Sequence, residues 1–230
     1  MIATPRFVFL HLHKSGGTFV NECLLRFVPG ARQLGYHMPL AALPAEFAGL
    51  PVLGFVRNPW SYYVSWYSFQ AAMPQPNALF RALSDGGRLG FVGTIRNMVT
   101  LESSPALLQA VAASLPATYT NRGLNLPGFA LEPIRGTRLG FYSYLCRYMF
   151  EGGRPPGIGR MESLRQDLPR MLEAVGEPVS EEFRRHVETA APSNTSRHGA
   201  YWEYYDEPLR DLVAQRDAMV IEQFKYRFGE

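Results

Sequence analysis

The segment HKSGGT offers the groups that bind an anion. Its last five residues are Lys14, Ser15, Gly16, Gly17 and Thr18. The glycine pair allows a sharp turn and a close approach of the backbone to a ligand. A helix that begins there would present unpaired N–H groups and the positive end of its dipole, which favour phosphate or sulfate. The lysine adds a mobile charge, and the hydroxyls add donors. We therefore predict an anion cradle, with an ordinary strand-to-helix turn as the alternative.

Apolar residues on both sides predict the elements that carry this loop. A nearly continuous apolar run precedes it, which is typical of a strand covered on both faces and predicts a strand over residues 6–12. Phe19, Leu24 and Val28 recur at helical spacing after the loop and predict a helix over residues 17–28. The loop would thus join the end of a buried strand to the start of a helix.

The chemistry that this loop favours is sulfuryl transfer. In the nucleotide-triphosphate loop GxxxxGK[ST] the lysine follows the second glycine, whereas Lys14 precedes the glycine pair. No aspartate follows an apolar strand-like run, so the sequence shows no evident carboxylate for the metal ion that phosphoryl transfer uses. A moving sulfuryl group carries less negative charge than a phosphoryl group. Lysine, backbone amides and hydroxyls are therefore suited to stabilise its transition state without a metal.

A second strand-to-helix junction lies in the segment PVLGFVRNPWSYYVSWYSF. Asn58 suits the N-cap of a helix, and Pro59 suits its first position. We therefore predict a strand over residues 51–57 and a helix over residues 59–71.

Arg57 would end this second strand, beside the first loop if the two strands are parallel neighbours. Ser61, Ser65 and Ser68 recur at helical spacing and form a polar stripe on the following helix. A guanidinium at the strand end and the hydroxyl of Ser65, two turns into the helix, are able to grip a second phosphate. A structural arginine and small residues that let helices pack closely are the alternative.

The order of these motifs resembles the carbohydrate-type sulfotransferases, the family that includes heparan sulfate 2-O-sulfotransferases. HKSGGT is followed by RNPWxxxxS, then by GRMESL and by NTSRHGAYWEYY, so the similarity spans nearly the whole chain. The resemblance implies 3'-phosphoadenosine 5'-phosphosulfate as the donor, adenosine 3',5'-bisphosphate as the product nucleotide, and no metal.

The resemblance also implies roles for individual residues. The loop of residues 14–18 would bind the 5'-phosphosulfate, and Lys14 would also stabilise the leaving oxygen. Arg57 and Ser65 would hold the 3'-phosphate. The stretch that would close over the nucleotide consists of Asn194, Thr195, Ser196 and Arg197. One departure is His13, where the family more often has proline, and this histidine puts a titratable ring beside the chemistry.

The acceptor hydroxyl must lose a proton to a nearby base during transfer. His37 lies between the first predicted helix and the second strand, where a subfamily with a catalytic histidine places that residue, and we predict it to be the base. His13 and a carboxylate such as Glu22 are the alternatives. We expect the ring of His11 to be packed within the first strand. Two histidines without a third ligand are weak evidence for a metal site, so we predict none.

Strands and helices alternate along the chain, which predicts a central parallel sheet flanked by helices. The remaining predicted strands cover residues 137–143 and 157–160, and the remaining helices cover residues 163–175, 180–190 and 207–226. With the resemblance, this pattern implies a P-loop-like three-layer α/β fold. The 230 residues contain no linker or repeat, so we predict one sulfotransferase domain over residues 1–230. Residues 72–135 would cover the active site and carry acceptor specificity.

Composition limits the partners. A net charge of +3 without a basic stripe argues against nucleic acid and suits an anionic donor. The acceptor would be a hydroxyl-bearing saccharide or small metabolite, either neutral or anionic. Two cysteines and no long apolar segment predict a cytoplasmic protein without a membrane partner. A P-loop kinase and a non-catalytic nucleotide-binding module stay open as alternatives, as do the acceptor's identity and the oligomeric state.

Overall fold

The described residues form an α/β structure in which a mixed five-stranded sheet is flanked by helices. The structure is a computed structural model that describes residues 1–121, 123–152, 157–191 and 198–230. The strands are β1 (Ile2–Ala3), β2 (Val8–Leu10), β3 (Arg32–Gln33), β4 (Val52–Val56) and β5 (Gly157–Arg160). The helices are α1 (Gly17–Phe27), α2 (Pro59–Ala71), α3 (Ala78–Leu83), α4 (Phe91–Val99), α5 (Pro105–Ser114), α6 (Gly128–Leu131), α7 (Phe141–Phe150), α8 (Leu164–Ala174), α9 (Glu181–Thr189), α10 (Glu207–Arg216) and α11 (Ala218–Phe224). Short 3₁₀ helices cover Leu40–Ala42, Ala45–Phe47, Leu101–Ser103, Glu132–Ile134, Met161–Ser163 and Tyr201–Tyr204.

The chain divides into two compact units. The first comprises Met1–Arg57 and Tyr148–Thr195, and the second comprises Asn58–Arg147 and Ser196–Glu230. The whole sheet belongs to the first unit, and the second unit is built from helices. The expected single domain over residues 1–230 stays a prediction. Within the described residues, no helix is both long and apolar enough to cross a membrane.

The sheet has the strand order β3-β1-β2-β4-β5. Strands β2, β4 and β5 are parallel, as predicted, but β1 runs antiparallel to both β2 and β3. The prediction of a wholly parallel sheet is therefore wrong. The reason is the tight turn from β1 to β2, in which the hydroxyl of Thr4 accepts from the N–H of Phe7 at 3.0 Å and donates to its carbonyl at 2.9 Å. A connection this short joins antiparallel strands, whereas parallel strands need a crossover.

One face of the sheet forms the core of the first unit with α1, α8 and α9. Alternate residues of β2 and β4, including Phe9, Leu53 and Phe55, point to this face and are buried. The helices contribute Phe19, Val20, Cys23, Leu24, Leu164, Leu168, Leu172, Phe183 and Val187. The opposite face is covered too, because a Cβ on Gly54 would lie 2.5 Å from the ring of Phe150. Burial on both faces fixes β2 and β4, the strands that lead into the candidate site.

The helix predicted over residues 59–71 is confirmed as α2, and the one over residues 17–28 is confirmed as α1. Asn58 caps α2, since its side-chain oxygen accepts from the N–H groups of Trp60 at 3.1 Å and Ser61 at 3.4 Å. The helices predicted over residues 163–175 and 180–190 differ from α8 and α9 by one residue at each end, and strand β5 has its predicted bounds.

The strand predicted over residues 137–143 is wrong, because helix α7 begins at Phe141. Its first-turn N–H groups bind side chains that are distant in sequence. The N–H of Tyr142 donates to the hydroxyl of Tyr63 at 3.1 Å, and the N–H of Ser143 donates to Asp217 at 2.8 Å. Caps supplied from elsewhere in the chain leave no local signal, so the sequence around residue 141 does not mark the start of this helix.

The long helix predicted over residues 207–226 is interrupted at Asp217, between α10 and α11. The carbonyl of Arg216 accepts from the N–H of Gly140 at 2.7 Å. It therefore does not accept the hydrogen bond within the helix that would join α10 and α11 into one. The carboxylate of Asp217 is fully buried and also accepts from the hydroxyl of Tyr63 at 2.7 Å. The break therefore joins the α10–α11 corner to the start of α7.

We predict that the stabilising effect of Asp217 over an asparagine falls as the pH rises. Burial raises the pKa of Asp217 from 3.8 to about 6, so folding favours the protonated carboxyl. This contribution is present below the unfolded pKa and is lost as the pH rises through the folded pKa. At about 1.4 kcal/mol per pKa unit, the free energy of unfolding of the wild type relative to Asp217→Asn should fall by roughly 2–3 kcal/mol between about pH 4 and pH 7.

Urea unfolding of both proteins at the two pH values measures this difference. Asp206→Asn is the control, because Asp206 is the N-cap of α10 and asparagine caps a helix about as well as aspartate. A difference between wild type and Asp217→Asn that does not change with pH would show that the carboxyl pKa is not raised.

Candidate anion-binding site

The loop between β2 and α1 is a turn with left-handed backbone at two positions. Lys14 has a φ of 58° and Gly16 a φ of 77°. The N–H of Ser15 donates to the carbonyl of Leu12 at 3.4 Å, which ties the turn to the chain just after the strand. A left-handed conformation is uncommon for a residue with a side chain. The loop therefore has a defined shape that holds Lys14 just ahead of α1.

The glycine pair is required by the packing of the loop itself. A Cβ on Gly16 would lie 2.6 Å from a methyl group of Leu164, and a Cβ on Gly17 would lie 2.0 Å from the ring of His11. Gly16 also supplies the left-handed residue at which α1 begins. We expected these glycines to allow close approach of a ligand, whereas contacts within the first unit explain them.

The start of α1 suits an anion. Its N-cap residue is Gly16, which has no side chain to accept from the first-turn N–H groups, and its first turn contains no acidic residue. The helix dipole places partial positive charge at this end. With eleven residues, α1 is long enough for that field to be developed. The predicted anion cradle thus has the helix that it requires.

Lys14 and Arg57 lie next to each other at this end of the sheet. Arg57 follows the last residue of β4, and its Nη1 donates to the carbonyl of Lys14 at 3.4 Å. Burial, and secondly the charge of Arg57, lower the pKa of Lys14 to about 8. Two like charges side by side at the positive end of a helix favour the binding of an anion, which would attract both.

The hydroxyls of the loop take part in local hydrogen bonds. Ser15 is buried and donates to the carbonyl of His13 at 3.4 Å. Thr18 lies in the first turn of α1, with its hydroxyl 3.4 Å from that of Tyr36. All five loop residues predicted for the 5'-phosphosulfate therefore lie together around the start of α1.

Three histidines and a tyrosine pack their rings together beside this loop. The centroid of the His37 ring lies 4.2 Å from that of His11, 5.2 Å from that of His13 and 4.4 Å from that of Tyr36. All three histidines are buried. We call these four residues the histidine cluster. His37 belongs to a loop, as predicted, and has a left-handed φ of 50°.

One hydrogen bond determines the tautomer of His37. Its Nδ1 lies 2.7 Å from the carbonyl oxygen of His11. A carbonyl can only accept, so Nδ1 carries the proton and Nε2 of the neutral ring is left with its lone pair. Burial lowers the pKa of His37 to about 4. At neutral pH the ring is therefore in the form that can accept a proton.

The alternative bases are placed differently. His13 belongs to the histidine cluster, and burial, followed by the nearby His37 and Lys14, lowers its pKa well below the usual value. Glu22 is exposed on α1. The choice between His37 and His13 stays a prediction, and the tautomer of His37 favours that residue.

The structure does not test whether the other predicted site residues lie at this loop. Ser65 is buried within α2, in the second unit, whereas Arg57 belongs to the first, so their pairing stays a prediction. The predicted nucleotide-closing residues lie outside the described residues; they are Asn194, Thr195, Ser196 and Arg197. Within the described ranges, no group of three or more histidine, cysteine or acidic side chains is arranged to hold a metal ion.

Sequence reasoning missed Tyr36 and Asn21. Asn21 is buried on α1, where its amide nitrogen lies 3.3 Å from Nδ1 of His11. The signal for it was a polar residue among the apolar positions of an otherwise amphipathic helix. His11 was expected inside the first strand, but β2 ends at Leu10 and the ring of His11 packs on Gly17 instead.

No protein-family profile matches the chain, and no curated protein matches it. The function must therefore be argued from the geometry of the loop and the histidine cluster.

We predict that binding of adenosine 3',5'-bisphosphate takes up protons at mildly alkaline pH. Lys14 has a pKa of about 8, so part of the population has lost its proton near that pH. A bound anion favours the ammonium form and should raise this pKa, so protons enter with the ligand. Calorimetric titration near pH 8 in buffers of different ionisation enthalpy measures the number of protons.

Lys14→Arg is the matched control, because arginine keeps the charge and does not titrate in this range. It should bind the nucleotide without proton uptake. Equal proton uptake in the wild type and in Lys14→Arg would assign the effect to another group and would remove Lys14 from the anion site.

Proposed function

We propose that the protein is a sulfotransferase that moves a sulfuryl group from 3'-phosphoadenosine 5'-phosphosulfate to an acceptor hydroxyl. The observation that carries this proposal is the placement of Lys14 beside Arg57 at the start of α1, where burial and the neighbouring charge lower the lysine pKa to about 8. A donor with several anionic oxygens would be attracted by both cations and by the helix dipole. The resemblance of the HKSGGT and RNPWxxxxS motifs to sulfotransferases supports the same donor.

Different residues of the first unit would bind the two anionic groups of the donor. Lys14 and the first-turn N–H groups of α1 would hold the 5'-phosphosulfate. Arg57 would contact the 3'-phosphate, and its planar guanidinium suits two parallel hydrogen bonds. As the bond between sulfur and the bridging oxygen breaks, negative charge grows on the phosphate that leaves. Lys14 would stabilise that charge.

The histidine cluster supports the acceptor half of the reaction. The acceptor oxygen forms its bond to sulfur and gives up its proton, which Nε2 of His37 would accept. His37 is neutral at pH 7, since its pKa is about 4, and the carbonyl of His11 keeps its proton on Nδ1. A base must present a bare nitrogen to the proton that it removes. The low pKa makes His37 a weak base, but one whose Nε2 is unprotonated at neutral pH.

Metal independence follows from the charges in this proposal. The moving sulfuryl group carries little negative charge, so the lysine, the arginine and the helix start together would supply the stabilisation. We expect the acceptor to be a saccharide or a small metabolite. We also expect the enzyme to act in the cytoplasm, because its two cysteines, Cys23 and Cys146, are free and buried, as is usual in a reducing compartment.

The test is transfer of label from a radiolabelled donor to a panel of hydroxyl acceptors in the presence of EDTA. Label should move to at least one acceptor. His37→Ala should lower single-turnover transfer by roughly a hundredfold or more, the usual scale for loss of a general base, and leave affinity for the product nucleotide unchanged. His186→Ala is the matched control and should leave the transfer rate unchanged. This histidine is not part of the histidine cluster; it lies on α9, with its ring 5.1 Å from that of Phe27.

Three results would contradict the assignment. Magnesium-dependent transfer of phosphate from ATP would indicate a kinase. Nucleotide binding without transfer to any acceptor would indicate a binding module. Near-normal transfer in His37→Ala with loss in His13→Ala would move the base into the loop.

A further inference from the structure

The ring of His11 is clamped against helix α1. A Cβ on Gly17 would lie 2.0 Å from this ring, so the ring rests directly on the helix backbone. Asn21 stands one turn further along the same helix face, with its Nδ2 3.3 Å from Nδ1 of His11. The helix therefore fixes His11 at two points, by close packing and by a hydrogen bond.

The hydrogen bond also fixes the tautomer of His11. An amide nitrogen can only donate, so Nδ1 of His11 accepts and the neutral ring carries its proton on Nε2. A second proton on the ring would set the N–H of Nδ1 against the donor of Asn21. Burial and the nearby His37 also lower the pKa of His11. Asn21 thus favours an uncharged His11 next to His37.

The stability of α1 does not explain why an asparagine stands here. The side-chain oxygen of Asn21 is buried and has no hydrogen-bond partner among the residues that the structure describes. A buried polar atom without a partner is unfavourable, and an apolar side chain of similar size would avoid it. The hydrogen bond to His11 is the interaction that only the asparagine provides.

We propose that Asn21 is a positioning residue that acts on His37 through His11. This inference rests on the proposed function, in which His37 is the base. Asn21 holds the ring of His11, and the backbone of His11 presents the carbonyl that keeps the proton of His37 on Nδ1. The same helix that would bind the donor at its start therefore also orients the base. Donor site and base are linked by one element of the first unit.

Loss of the amide removes one of the two contacts that hold the ring of His11. The ring, and the carbonyl of the same residue, are then held less firmly. His37 then also populates the tautomer that carries its proton on Nε2, where the nitrogen cannot accept one from the acceptor. Donor binding does not depend on this step, because Asn21 makes no part of the Lys14 loop. The expected signature is a loss of transfer rate without a loss of nucleotide affinity.

The test compares Asn21→Leu with the wild type by long-range ¹H–¹⁵N NMR, which distinguishes a protonated ring nitrogen from a bare one. In the wild type at neutral pH, His37 should be protonated on Nδ1 and His11 on Nε2. In Asn21→Leu, His37 should show a mixture of tautomers. Single-turnover transfer should fall by about tenfold or more, as expected for a misplaced group, with unchanged affinity for adenosine 3',5'-bisphosphate and little change in melting temperature.

Two further variants keep the test decisive. Asn21→Ala removes the same donor without adding a branched side chain and replaces the leucine variant if that one does not fold. Cys23→Ala removes a buried side chain from the same helix; it should lower the melting temperature and leave the tautomer of His37 unchanged. A structural role for Asn21 would instead give the Cys23→Ala pattern, with lower stability and an intact tautomer.

The outcomes separate this inference from the proposed function. The positioning role would be overturned if the wild type transfers label and the Asn21 variants transfer it at the same rate, with the proton of His37 still on Nδ1. A wild type that transfers no label from the donor would overturn the proposed function. The NMR result needs no turnover and decides the link between Asn21 and His37 in either case.

Discussion

The burial of Lys14 beside Arg57 at the positive end of α1 is the constraint on which the proposed anion site depends. Burial, and secondly the charge of Arg57, bring the pKa of Lys14 to about 8. Strands β2 and β4 bring the two residues together, because they are parallel neighbours and each leads into one of them. A sheet buried on both faces leaves neither strand free to shift. The fold thus maintains a concentration of positive charge that an anionic ligand would relieve.

The histidine cluster extends this arrangement through the same helix. Gly17 is compatible with the ring of His11 because it lacks a Cβ, and the backbone of His11 in turn orients His37. Burial keeps all three rings uncharged, which limits further repulsion beside Lys14. The glycine pair is therefore explained by packing against Leu164 and His11, and not by contact with a ligand. The buried Asn21 is explained by its contact with the ring of His11.

Local sequence signals were sufficient for the elements around the site. The cap at Asn58 and the apolar spacing after Gly17 defined α2 and α1 because the interactions responsible lie within a few residues. Helix α7 was mistaken for a strand because its first-turn N–H groups bind Tyr63 and Asp217, far away in the sequence. The two-residue strands β1 and β3 carry too few side chains for any periodicity. Lys14 and Arg57 were predicted from a loop motif and a strand end, and His37 from a family resemblance, whereas the contact between Asn21 and His11 is seen only in the folded chain.

Thermal melting with adenosine 3',5'-bisphosphate in EDTA tests the anion site most directly. Because a ligand that binds only the folded state stabilises it, a concentration of 100 times the dissociation constant should add about 2.7 kcal/mol and raise the melting temperature. Arg57→Lys should reduce this gain, since it keeps the charge and loses the planar fork. Stabilisation by ATP with magnesium, and none by the bisphosphate, would contradict a metal-independent site for a 3'-phosphorylated nucleotide.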